Sequence, residues 1–298
     1  MKPSHAPDFT LSRPEPNVTI VRMEVPSSSG WSQRFLVRSD VHRDSKDCRR
    51  DIEKASCEQA LREGAGIIDV GDLYDAMQGP GDKRACKESL RDEYARAAYF
   101  DELVEDAEEF YKLYAWNLVS LNYGNHETSV IRHYATDLTK RLSNGLRRIT
   151  GAPVHPNGYQ GWVIFRVVAN KTKRASKAMY CYHGSGGGGQ VTKDIIQLHR
   201  RQSYVNADID ASGHTHDLWA TSDVRLSVND AGRQVQSKVW GLKCGTLKQS
   251  YVKEGNTGFG YEQQQGHRPK PIGHCWIKLT WDQQKSRINV DATAEAFE

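Results

Sequence analysis

The chain alternates short apolar runs with stretches whose apolar residues recur at helical spacing. Residues 18–25 (Val-Thr-Ile-Val-Arg-Met-Glu-Val) alternate as a strand does, one suited to a sheet edge. Residues 26–30 (Pro-Ser-Ser-Ser-Gly) read as a turn, and 34–38 as a short strand ending at Ser39-Asp40-Val41-His42. From 47 to 63 the pattern is helical, with Ile52, Ala55, Ala60 and Leu61 available for burial and Gly64 where a C-terminal cap belongs. Residues 66–70 form the next apolar run and end at Gly71-Asp72. Strand, helix, strand is the order of a parallel βαβ unit. Residues 1–16, rich in Pro, Ser and charge, read as a loose arm. The arm and its edge strand occupy 1–30, and a single domain is expected over 31–298.

A polar insertion at 75–90 contains Gly79-Pro80-Gly81-Asp82 and is too rich in turn formers for regular structure. Residues 93–114 read as one long helix. Tyr99, Phe100, Leu103, Ala107, Phe110, Tyr111 and Tyr114 form its buried stripe, and Asp101, Glu102, Glu105, Asp106, Glu108 and Glu109 a solvated face. The run 117–123 leads as a strand into Gly124-Asn125-His126-Glu127, which places Asn125 and His126 on a loop. A helix over 129–148 then buries Val130, Tyr134, Leu138, Leu142 and Leu146. Its Arg132, Lys140, Arg141, Arg147 and Arg148 form either a plain solvated face or a means of steering phosphates. Strands follow at 161–168, 178–182 and 207–212, a helix at 190–202, and β-rich stretches at 236–244, 275–281 and 286–292. No internal repeat or linker interrupts them, and nothing assigns a role to the extension 246–298.

Composition narrows the class. With 298 residues, 38% hydrophobic and 26% charged, the chain can bury a large core. No apolar run approaches the roughly 18 residues of a membrane span. The N-terminus has no apolar signal region, and the six cysteines are dispersed without a CxxC, so reduced thiols and a cytoplasmic setting are expected. A net charge of +4 is too small to argue for nucleic acid by itself.

The chemistry gathers at strand ends. Asp40 and His42 are two residues apart and can point to the same side, as can His214 and His216. Asp72, Asn125 and His183 each close a strand of their own. Together these seven offer oxygen and imidazole nitrogen with no thiolate, a set that suits manganese, zinc, iron or nickel better than copper(I) or an iron–sulfur cluster. Seven donors exceed one tetrahedral centre and suit two ions sharing a carboxylate. Any one of them alone would more often be structural. Asp75 reads equally as a support for a ligand or as a turn-stabilising residue. The glycine run 184–189 lacks the Gly-Lys-Ser/Thr ending of a P-loop; it reads as backbone passing close to the site, and as a gating loop in second place. Trp219 reads as core, or as a surface for stacking a base.

Asp-x-His, Gly-Asp, Gly-Asn-His-Glu, His-Gly and Gly-His-Thr-His, in that order over residues 40–216, resemble the five blocks of the calcineurin-like metallophosphoesterases. The pieces 75–79 and 184–189 resemble versions found in tailed phages and their metagenomic relatives, which points to a bacterial or phage-infected cell. The resemblance implies an α/β fold, a two-sheet β-sandwich flanked by helices in four αββα layers. It also implies two divalent metal ions, Mn2+ foremost, with Zn2+, Fe2+ or Ni2+ compatible. Asp40, His42 and His216 would hold the first and Asn125, His183 and His214 the second, with Asp72 bridging and His126 over the substrate as general acid. Such a centre grips phosphoryl oxygens and activates water for direct hydrolysis. The expected substrate is a phosphoester, preferentially a phosphodiester of a nucleotide or nucleic acid. A phosphomonoesterase is the alternative, and an inactive metal-binding scaffold the third reading.

Overall fold

The computed structural model describes residues 6–26, 30–79, 90–95, 97–187, 189–251 and 261–297. Two mixed sheets pack face to face. The seven-stranded sheet contains β1 (Phe9–Glu15), β2 (Val18–Val25), β6 (Gln160–Ala169), β7 (Lys173–Tyr182), β8 (Ile209–Ser212), β9 (Leu218–Val228) and β10 (Gln234–Cys244), ordered β1-β2-β6-β7-β8-β10-β9. The five-stranded sheet contains β3 (Ser32–Arg38), β4 (Gly66–Asp69), β5 (Leu118–Leu121), β11 (Ile272–Asp282) and β12 (Arg287–Phe297), ordered β12-β11-β3-β4-β5. Helices α1 (Arg50–Arg62), α2 (Tyr99–Tyr111), α3 (Asn125–Tyr134) and α4 (Leu138–Thr150) belong to the five-stranded side, α5 (Ile195–Gln202) to the other; α6 is the short turn Tyr261–Gln264.

Period-2 alternation makes the layers. On β3, Phe35 and Val37 face the other sheet and join Val21, Ile68, Phe165, Met179, Ile209 and Leu242 in the inter-sheet core. Leu36 faces the opposite way, with Ile67, into a second core against Ile52, Leu103, Tyr111, Leu142 and Leu146 of the helices. Both faces of β3 and β4 are therefore buried, which is why these strands read as continuous apolar runs. On the far side, Leu198 of α5 packs so closely on Gly241 that a β-carbon there would come within 2.2 Å of it. The α/β sandwich flanked by helices is the architecture expected.

Several boundaries differ from the sequence reading. Residues 9–15 are not a loose arm but the edge strand β1, whose Phe9 packs on Phe35, so β2 lies inside the sheet between β1 and a parallel β6. The helix expected over 129–148 is two helices. Ala135 adopts a left-handed conformation (φ 52°) that ends α3, and Asp137 caps α4 by accepting from Lys140 N at 2.8 Å. α3 also begins earlier than expected, so Asn125 and His126 form its first turn rather than a loop. The helix expected from 93 begins at Tyr99, and strand β9 went unread because most of its residues are polar or exposed. Most of the insertion at 75–90 lies outside the described residues.

Candidate metal centre

β3, β4 and β5 run parallel, as do β7 and β8, so their carboxyl ends meet at one edge of the sandwich. Each block of candidate donors leaves one of these ends. His183 Nδ1 lies 3.0 Å from Val70 O, and the two sheets are thereby tied together at this edge. Five of the seven donors, Asp40, His42, Asp72, His214 and His216, are non-glycine residues with φ between 50° and 73°. Such backbone costs about 1–3 kcal/mol per residue and persists only where the surroundings dictate it. Here Asp40 N donates to Gly71 O (2.9 Å), His42 N to Asp72 O (3.1 Å) and Leu247 N to Asp40 O (3.0 Å). Two glycines are required by close approach. A β-carbon at Gly124 would stand 1.9 Å from Asp72 Oδ1, and one at Gly213 would stand 1.9 Å from Ser39 Oγ and 2.5 Å from Asp40 Oδ2.

The donors gather into two main groups. In the first, Asp40, His42 and His216 bring ligand atoms within 4.8 Å of one another. His42 Nε2 and His216 Nε2 face each other at 3.2 Å, and Asp40 Oδ1 is 3.3 Å from the latter. Asp72, His183 and His214 make the second group. Asn125 Oδ1 joins it, 3.1 Å from His183 Nε2 and 2.7 Å from His214 Nδ1. Asp72 Oδ2 lies 3.1 Å from His183 Nε2 and 3.7 Å from His126 Nε2. Asp72 thus falls with the second group, and the first closes without it. A further trio, His42, Asp75 and His126, shares His42 with the first.

Divalent cations fit this arrangement. Asp40 is fully buried, and its Oδ1 has no hydrogen-bond partner among the described residues. A buried carboxylate oxygen 3.3 Å from one of two converging imidazole nitrogens makes a donor set that a cation would complete. Burial, opposed by Asp75, lowers the His42 pKa to about 4, and burial with the neighbouring His183 lowers that of His214, so both rings are neutral donors at pH 7. Burial opposes protonation of His183 too, but Asp72 outweighs it and raises the pKa to about 9. A metal there must displace a proton.

Three acids support the donors. Asp75 Oδ1 lies 2.9 Å from Nδ1 of the candidate donor His42 and accepts from Lys248 Nζ at 3.1 Å, the position of a group that would orient that ring. Glu127, the last residue of its block, had no role in the sequence reading. It is buried and accepts from Asp72 N, Gly124 N and Tyr74 N at 2.8–3.1 Å, pinning the Asp72 loop to the start of α3. Burial and then Asp72 raise its pKa to about 8. Asp44 accepts from Asp75 N, Ala76 N and Tyr99 Oη. Glutamate three residues after a helix cap was a readable signal for Glu127; Asp44 offered only its nearness to His42.

A cleft of about 710 Å³ opens over the centre, lined by His126, His214 and His216 on one side and by residues 248–251 and 267–272 on the other. Parts of the extension without an assigned role therefore line the cleft, while its β11 and β12 belong to the five-stranded sheet. Arg132, Lys140, Arg141, Arg147 and Arg148 of α3 and α4 do not line it. Part of the acidic run on α2 is not a solvated face either: Asp106 is half-buried and pairs with Arg43 and Arg50 beneath the Asp40–His42 loop. Trp219 donates from Nε1 to Lys193 O at 2.8 Å.

No described helix is long and apolar enough to cross a membrane. No protein-family model and no curated protein matches the sequence. Among solved structures the chain is similar to GAP50, the anchor in the inner membrane complex of Plasmodium (TM-score 0.47, 13% identity, 89% of this chain and 84% of that one). It is also similar to a metallophosphoesterase from Sphaerobacter thermophilus (TM-score 0.34, 13% identity, 90% and 88%) and to a Thermotoga maritima protein solved by NMR (TM-score 0.31, 14% identity, 89% and 99%). At such scores the chemistry has to be read from this chain's own residues.

Proposed function

We propose that the chain is a dimetal-dependent phosphohydrolase whose preferred reaction is hydrolysis of a phosphodiester in a nucleotide or nucleic acid. The observation that carries this reading is that donors from five strand ends gather at one edge of the sandwich in two groups, one of which holds a buried carboxylate oxygen with no hydrogen-bond partner among the described residues. Asp40, His42 and His216 would hold one divalent ion, Asn125, His183 and His214 the other, with Asp72 between them. When bound, the pair would supply Lewis acidity and an acidified water to a phosphoryl centre. Manganese leads among the candidates, and zinc, iron and nickel suit the same donors.

The chain's own residues supply position and protons. His126 N donates to Asp72 Oδ1 at 3.0 Å, which ties the ring to the centre. Its Nδ1 rests against Asp75 O, so Nε2 is the nitrogen left to deliver a proton to a departing oxygen. An alkoxide leaving group needs such a proton in a monoester and a diester alike; what supports the diester preference is the room that a cleft of about 710 Å³ beside His126 leaves for a second substituent on phosphorus. The basic helix gives this preference no support, because its cations lie away from the cleft.

The test is a panel of bis-p-nitrophenyl phosphate, p-nitrophenyl phosphate, cyclic nucleotides and single-stranded DNA, assayed with added manganese and after chelation. Diester turnover that is lost with the metals and restored by them is expected. Turnover of p-nitrophenyl phosphate alone would make the protein a monoesterase, and silence on every substrate with every metal would leave a scaffold.

A further inference from the structure

Three cations line the cleft together with His126, and two of them share a single acceptor. Lys248 follows β10, and Arg268 and Lys270 precede β11; all three line the cleft with His126, His214 and His216. Arg268 and Lys270 share a single oxygen, Oδ1 of Asp217, the residue after His216 (Lys270 Nζ at 2.9 Å). Asp217 is 1% exposed, while the two cations keep 28% and 22% of their side-chain surface. One carboxylate oxygen thus answers two cations, and both keep surface open at the cleft. Arg268 Nε is a buried donor with no acceptor among the described residues. On the neighbouring stretch, Lys248 already spends itself on Asp75, which also faces His42. Glu262 also lines the cleft among the described residues, so what Arg268 and Lys270 offer there is donor atoms sharing one acceptor oxygen rather than net charge.

Resting on the phosphohydrolase reading, we propose that Arg268 and Lys270 form a subsite for a second phosphate, the one next to the phosphate being hydrolysed. The guanidinium offers in-plane donors matched to phosphate oxygens, and the ammonium a compact charge beside them. The substrate is then a phosphoester that carries a neighbouring phosphate, as a nucleic-acid strand or a nucleoside bisphosphate does. Bare monoesters fill only half of the site.

Two measurements test this. Thymidine 3′,5′-bisphosphate and thymidine 5′-phosphate are titrated calorimetrically into the metal-stripped full chain, and the bisphosphate is expected to bind about tenfold tighter. The p-nitrophenyl ester of thymidine 5′-phosphate is then compared with the same ester carrying a 3′-phosphate, using the metal-loaded enzyme. The ratio of their kcat/KM values is expected near ten for the native chain and near one for Arg268→Gln and Lys270→Gln. Arg268→Lys should keep part of it. Thermal melts identify any variant that fails to fold once Asp217 loses a partner, and Lys270→Gln, which leaves Arg268 in place, then serves instead. Equal binding of the two nucleotides, or a ratio that survives both substitutions, overturns the subsite. Bisphosphate preference without turnover would leave the subsite standing and bring down the hydrolase reading alone. A single-stranded oligonucleotide and a nucleoside diphosphate as competitors distinguish the sources: stronger competition by the former assigns the second phosphate to a strand, by the latter to a free nucleotide.

Discussion

The two sides of the cleft are built by opposite means. On the metal side, short polar side chains stand on backbone held at φ values that L-residues avoid, and five such positions fall among seven donors. On the cationic side, Lys248, Arg268 and Lys270 sit on ordinary backbone and reach the cleft through long side chains steadied by carboxylates. Strain suits a centre in which donors must be placed to a few tenths of an ångström. Long side chains with a shared counter-charge suit an anion whose position varies with the substrate. On the proposed reading, reaction and selectivity would reside in separable parts, so substitutions on the two sides should fail in different ways.

The largest expected effect is on the metal side. Asp72→Asn removes the charge beside His183 and should lower bound divalent metal by half or more in elemental analysis. Turnover should fall by more than about 10⁴-fold, because the ions go with it. Full metal content in that variant would exclude Asp72 as a ligand. His126→Ala comes next: turnover falls about 10²- to 10⁴-fold while metal content stays at the native level. If metal is lost as well, His126 is a donor through the trio it forms with His42 and Asp75, and the general acid lies elsewhere.

The contrast also explains what sequence could reveal. Asp40, His42, Asp72, Asn125, His183, His214 and His216 stand out because each closes an apolar run, and a parallel sheet carries such ends to one edge. The two-sheet sandwich was legible only through the resemblance of the five blocks, and the strand orders were not, because they depend on pairings between distant segments. Arg268 and Lys270 had no such signal. Their role depends on β11 pairing with β3, more than two hundred residues earlier, and on Asp217 being buried beneath them. Phe9–Glu15 was missed because charge and proline hid a strand whose main anchor is Phe9 against Phe35. The split of α3 from α4 was hidden because Ala135 gives no warning of left-handed backbone.

A third expectation concerns the footing of the cationic wall. His274, on β11 just beyond the wall, is 1% exposed and packs against Trp276 and Phe297. Burial, reinforced by Arg38 and Arg34, lowers its pKa to about 3. Glu295 Oε2 is 3.4 Å away, but it accepts from Trp276 Nε1 at 2.8 Å, and burial prevails. The unfolded chain binds this proton near pH 6.5 and the folded chain does not. Stability from this site is therefore complete above pH 6.5 and is lost as pH falls toward 3, at about 1.4 kcal/mol per unit. Between pH 7 and 5 this site's share of the loss should be about 2 kcal/mol, read in denaturant titrations as the difference in slope between the native chain and His274→Leu, since His42, also held neutral, loses stability over the same range. An unchanged slope would mean that the ring is protonated in the fold, with Glu295 as its partner.

Glu127→Gln asks how far the metal side depends on its supports. One side-chain oxygen cannot replace the two that accept from three backbone N–H groups. Metal affinity should weaken about tenfold, with a smaller loss of turnover at saturating metal. No change in affinity would mean that the Asp72 loop holds its shape without Glu127.

The smallest effect is expected on α3 and α4, where the sequence alone allowed a phosphate-steering face. Arg132, Lys140 and Arg148 are exposed, and Arg141 is paired with Asp101 of α2. Charges of this kind act on a substrate only through a field that salt screens within about 8–10 Å. Replacing Arg132, Lys140 and Arg148 together by glutamine should therefore change kcat/KM for a diester by less than about twofold at physiological salt. The same number of charges removed from the cleft wall should cost far more, because there the cations face the substrate directly. A tenfold loss from the helix triple variant would erase the division between the two sides of the cleft, since substrate would then have to extend beyond the wall and across α4.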